Sequence, residues 1–133
     1  MASGLSTKLH TTFPDAVERT TQALADQGFG VLTTIDVKAT LKQKLGEDIE
    51  DYLILGACNP TLAHRALDVD RQIGQLLPCN VVVRADPADG GDTVLVEAMD
   101  PQIMVQVTPQ AGALQDVADQ AAAKLQAAIG TLG

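Results

Sequence analysis

The sequence predicts an α+β fold: a single mixed β-sheet with helices packed on it, its elements in the order β-α-β-α-β-α-β-β-α over one domain, residues 1–133. Three observations carry this. Periodicity alternates between strand-like and helix-like along the first half of the chain. The stretch Tyr52-Leu53-Ile54-Leu55-Gly56-Ala57-Cys58 is nearly unbroken apolar and runs straight into Asn59-Pro60. The turn-rich segment Asp86 to Asp92 separates two alternating runs, which makes them an antiparallel hairpin, and a long alanine-rich helix closes the chain.

The elements follow in order. Leu5 to Thr11 alternates, with Leu5, Thr7, Leu9 and Thr11 on one face, so it is a half-buried strand with His10 on its polar side. Thr12 is an N-cap, Pro14 sits in the first turn and Asp15 lies three residues on. That helix runs to about Gln27 and buries Phe13, Val17 and Leu24. Gly28 ends it in the left-handed C′ position, and Phe29 falls where a Schellman motif places its apolar contact.

Gly30 to Ile35 is the second strand. Asp36 caps a short helix with Val37, Leu41 and Leu45 on one face, stopped by Gly46. Tyr52 to Cys58 reads as a central strand covered on both faces. Asn59 is the next N-cap, with Pro60 at the first helical position. The helix after it buries Leu62, Ala66, Val69 and Ile73. His64, Asp68, Arg71 and Gln75 lie on its other side. Leu76 to Arg84 and Thr93 to Met99 are the hairpin strands. Gln102 to Val107 fits a helical turn or a short strand. The last helix, Ala113 to about Ile129, has the stripe Leu114, Val117, Ala121, Leu125 and Ala128.

Composition narrows the function. Hydrophobic residues make up 46% and charged residues 20%, which suits a folded chain and not a disordered one. With no Trp, one Tyr and two Phe, the core is aliphatic, and base-stacking platforms lack their aromatics. A formal net charge of −8 repels phosphate backbones and anionic lipids, so nucleic acid and membrane are excluded as partners. The one basic cluster, Lys38, Lys42 and Lys44, is followed at once by acids and reads as a solvated helix face. No signal-peptide core or membrane-length apolar run is visible, which points to the cytoplasm. Two cysteines in a reducing compartment are expected as free thiols.

Several short blocks also resemble a known family. They are Gly28-Phe29-Gly30-Val31-Leu32, Ile35-Asp36-Val37, Lys44-Leu45-Gly46, Leu55-Gly56-Ala57-Cys58-Asn59-Pro60, Leu77-Pro78-Cys79-Asn80-Val81-Val82-Val83 and Ala98-Met99-Asp100-Pro101. Together they resemble the bacterial domain-of-unknown-function family 302 across nearly the whole chain. The resemblance implies a TATA-box-binding-protein-like fold and a homodimer. It implies no activity, cofactor or catalytic residue, and a shared fold does not import DNA binding.

Cys58 is the leading residue for chemistry. It ends an apolar strand at the mouth of a helix, where the positive end of the helix dipole favours a thiolate. Against that, a free cysteine is among the most buried residue types and packs as a small hydrophobe. Cys79 is its possible neighbour, following Pro78 at the start of another strand. The candidate ligand-binding or redox residues are therefore Cys58, Asn59, Cys79 and Asn80, with Cys58 and Cys79 as a possible soft-metal pair. His64 is two residues from the buried Leu62 and points away with Asp68, and a zinc site lacks its four ligands.

Known enzyme templates are absent: there is no Gly-x-Ser-x-Gly, His-Glu-x-x-His or phosphate loop. Gly28-Phe29-Gly30 has the wrong element order for a dinucleotide fingerprint. Glu97 reads as part of a solvated strand face, and Asp100-Pro101 as a turn. The expected function is a non-enzymatic homodimer binding a small ligand or protein partner at the Cys58-Asn59-Pro60 crevice, where the helix end favours an anionic group. The alternative is a thiol redox or soft-metal-binding protein using Cys58 and Cys79. An unrecognised enzyme with Cys58 as nucleophile is a third reading.

Overall fold

The computed structural model describes residues 5–89 and 93–133. Five strands form one sheet: β1 (Ser6–Leu9), β2 (Gly30–Asp36), β3 (Tyr52–Cys58), β4 (Cys79–Ala85) and β5 (Val94–Ala98). Four α-helices accompany them: α1 (Phe13–Asp26), α2 (Val37–Leu45), α3 (Pro60–Val69) and α4 (Ala111–Gly130). The α+β class and the element order are those the sequence predicts. Short 3₁₀ turns at Arg71–Leu76, Pro87–Asp89 and Pro101–Gln106 fill the connections. The segment that fitted either helix or strand is thus 3₁₀, and the strand expected from Leu76 begins at Cys79.

The strand order is β1-β5-β4-β3-β2, and every pairing is antiparallel. The sheet expected to be mixed therefore has no parallel pair among the described residues. The reason lies in the connections. β2, β3 and β4 are chain neighbours and sheet neighbours, so α2 and α3 return the chain at the sheet's ends instead of crossing over to a parallel strand. Part of the hairpin turn, residues 90–92, lies outside the described residues.

Local signals are satisfied where they were read. Thr12 Oγ1 accepts from the Asp15 backbone N–H at 3.3 Å. Gly28 has φ 85°, its N–H donates to Ala25 and the Phe29 N–H donates to Leu24, both at 2.9 Å. These two bonds make the Schellman motif, and Phe29 is buried beside Leu24 in the core.

Helices α1 and α4 cover one face of the sheet. Leu55, Ala57, Val81, Val83, Val94, Val96 and Ala98 point into the main core with Leu24, Phe29 and Leu125. A second cluster joins α3, the 3₁₀ turns and the N-terminal half of α4 through Leu62, Ala66, Ile73, Met104, Leu114, Val117 and Ala121. Helix α4 belongs to both clusters and ties them together.

β3 is buried only at Leu55, Gly56 and Ala57, while Tyr52, Leu53 and Ile54 are half-buried. Its predicted cover on both faces is incomplete because the helices pack on one side. On the other, the Arg84 Nε donates to Glu97 at 2.7 Å across β4 and β5. Glu97 is thereby paired rather than simply solvated. The β2–α2 unit is the least buried part of the chain: α2 has no buried residue, and Leu32, Ile35 and Leu45 are exposed. Its lysines are solvated as expected, with Lys38 on Asp51 and Lys42 on Asp48.

Candidate functional site

The strand-to-helix junction is built by the sequence Cys58-Asn59-Pro60. Asn59 takes an extended conformation, and its Oδ1 accepts from the Leu62 N–H at 3.1 Å while its carbonyl accepts from Ala63 at 2.9 Å. Pro60 needs no N–H partner at the first helical position. The end of α3 is therefore capped from within, and its Leu62 N–H is not free for the anionic group the sequence suggested.

Beside this junction a narrow cleft opens at the seam between the two hydrophobic clusters. Cys58 ends β3 and Cys79 begins β4. Phe29 and Ala57 close one side, while Leu62, Ala63, Leu77, Met104, Val117 and Ala121 close the other. The lining is apolar apart from the Asn59 amide and the sulfur atoms. The cavity volume is about 20 Å³.

The ladder puts the Ala57 and Cys79 side chains on one face of the sheet and that of Cys58 on the other. Ala57 stands opposite Cys79 across β3 and β4, and Cys58 is the next residue along. Both cysteines are free, Cys79 buried and Cys58 half-buried. Burial first, and then the charge of Cys58, pushes the Cys79 thiol from the ordinary 9.0 up to about 11. At neutral pH Cys79 is held as the neutral thiol.

Of the four residues read as a site, three line this cleft: Cys58, Asn59 and Cys79. Asn80 does not. It follows Cys79 in a strand, so its side chain takes the opposite face, where it borders a shallow hollow with Val82, Glu97, Ala98 and Met99. His64 is exposed with its Nε2 3.7 Å from Asp68, and it does not line the cleft. His10 is exposed as expected, its Nδ1 3.3 Å from Thr93 Oγ1. Among the described residues no group of three or more His, Cys, Asp and Glu side chains could hold a metal. Met104, Phe29 and Val117 are lining residues that the sequence did not mark. Met104 sits in the segment with no clear periodicity, and no local signal points to it.

The sequence profile of the domain of unknown function DUF302 matches residues 5–132. The chain belongs to the DUF302 family. No curated protein matches it. Among solved structures, the DUF302 chain is similar to an uncharacterized conserved protein of the same family from Bacillus stearothermophilus. The two are 28% identical, the alignment covers 96% of each chain, and the TM-score is 0.85. No helix of this DUF302 protein is long and apolar enough to cross a membrane, among its described residues.

Proposed function

We propose that this DUF302 chain is a non-enzymatic binding protein, working as a homodimer, that engages its occupant through the thiols of the Cys58-Asn59-Pro60 cleft. The observation that carries this reading is that both cysteines of the chain line one narrow apolar cleft. Size favours soft-metal or thiol redox chemistry over a larger organic ligand. Pockets that hold drug-sized ligands have volumes of roughly 300–1,000 Å³. A cavity of about 20 Å³ has room for one water-sized guest. The free thiols suit a reducing compartment, so the cytoplasm is part of the same proposal. The net charge of −8 keeps nucleic acid and anionic membranes out of its partner set.

The homodimer has its own support. Among the described residues, three of the four exposed large hydrophobic ones, Leu32, Ile35 and Leu45, belong to the β2–α2 unit. β2 is also a sheet edge, whose unpaired backbone groups invite a second strand.

The thiol reading is tested by reacting the native, reduced protein with an aromatic disulfide reagent. Cys58 should react in the folded state, and Cys79 more slowly because it is buried. If neither reacts before denaturation, the cleft is a packing feature and the proposal falls.

A further inference from the structure

We infer that two copies of the chain stack, sheet on sheet, through the face that the helices leave uncovered. This rests on the homodimer reading and names the surface that makes the dimer.

The ladder defines that face. Leu55 and Ala57 of β3 and Val81 and Val83 of β4 point into the main core. Side chains alternate along a strand, so Tyr52, Ile54 and Val82 point the other way. Ile35 stands opposite Ile54, and Leu95 stands opposite Arg84, so both lie on the same outward face. None of these five apolar residues belongs to either core cluster of the described residues. Tyr52, Ile54, Val82 and Leu95 are half-buried, and Ile35 is 50% exposed. An antiparallel sheet with one solvated face usually carries polar residues at its outward positions. Here the middle of that face is apolar. The unbroken apolar run of β3 suits a strand covered on both faces, and α1 and α4 cover only one.

Three observations point to a second copy as the missing cover. The first is charge. Glu97 is the one acid among the outward strand positions, and the Arg84 Nε donates to it at 2.7 Å. The acids behind the net charge of −8 therefore lie off this face, and two copies can meet there without strong repulsion. A surface with a matched cation and anion selects neither an acidic nor a basic partner, but it complements itself about a twofold axis. The second is area. Five strands of four to seven residues, about 4.8 Å apart and rising roughly 3.3 Å per residue, make a plane of roughly 500 Å². Two such planes reach the total of about 1,000 Å² that a specific interface needs. The third is continuity. Ile35 joins the face to the β2–α2 unit, where Leu32 and Leu45 are exposed.

Tyr52 is the chain's single tyrosine and there is no tryptophan, so its fluorescence reports on this face in the unmodified chain. The full chain should sediment as a dimer at micromolar concentration. Acrylamide should quench Tyr52 weakly in the dimer and more strongly once dilution yields monomer, with far-UV circular dichroism unchanged. Val82→Lys buries an unpaired charge in each half of the interface and should weaken dimerisation by more than about 100-fold. Val82 is half-buried, so if this variant fails to fold, Tyr52 quenching in the unmodified chain decides.

A dimer whose Tyr52 is as open to acrylamide as that of the monomer overturns the stacked face and leaves the homodimer reading standing. A folded Val82→Lys chain that stays dimeric does the same. An unmodified chain that is monomeric at micromolar concentration overturns both.

Discussion

Cys79 stands opposite Ala57 across β3 and β4, so the two side chains share the core face of the sheet, and Cys58 follows Ala57 at the strand's end. The pair is a product of register. A slip of one residue between β3 and β4 would turn Cys79 out of the core face.

The buried thiol makes stability depend on alkaline pH. The folded-state pKa of Cys79 is about 11 against an ordinary 9.0. Between these values the folded chain binds more protons than the unfolded chain. The contribution is therefore full below about pH 9 and is lost as pH rises toward 11, amounting to about 2–3 kcal/mol by linkage. Urea unfolding at pH 8 and pH 10.5 should show this fall. Cys79→Ala should flatten it, and an unchanged slope in that variant would assign the fall to another group.

Asn59 is a cap first. Asn59→Ala removes the acceptor for the Leu62 N–H and should cost about 1 kcal/mol in chemical denaturation. Asn59→Asp keeps an acceptor and should retain most of the stability. If both substitutions cost the same, the cap is not what Asn59 supplies.

Gly56 is required by crowding. A Cβ there would lie 2.8 Å from Pro78 Cγ and closer still to Thr33 Oγ1. Gly56→Ala should destabilise by about 1–3 kcal/mol, the usual range for overpacking. Adding Thr33→Ala should recover part of that loss, since the two sites touch. Thermal unfolding of the single and double variants decides it.

The homodimer is tested on the β2–α2 unit. Leu32 is 67% and Leu45 68% exposed, so Leu32→Glu with Leu45→Glu should change the stability of the isolated fold by little, about 0.5 kcal/mol per site. If two copies meet there, the wild-type chain sediments as a dimer at micromolar concentration and the double variant as a monomer. A monomeric wild type removes the homodimer; a double variant that stays dimeric moves the interface elsewhere.

Much of this chain is legible without coordinates because its signals are local. Thr12, Asp36 and Asn59 each cap a helix by accepting from an N–H three residues on. Gly28 and Phe29 close α1 through bonds to its own last turn. The apolar stripe of α4 is buried as read, since helical spacing alone places those residues on one face. The candidate residues Cys58, Asn59 and Cys79 were also visible, as a junction and a strand start.

What the sequence by itself determined is where each element begins and ends, and which of its faces is apolar. Those properties depend on hydrogen bonds and side-chain spacing within a few residues. Tertiary structure alone decided that the described strands all run antiparallel and that Met104 lines the same cleft as the cysteines. Pairing partners and the packing of α4 across two clusters rest on contacts between residues far apart in the chain, and no local pattern encodes them.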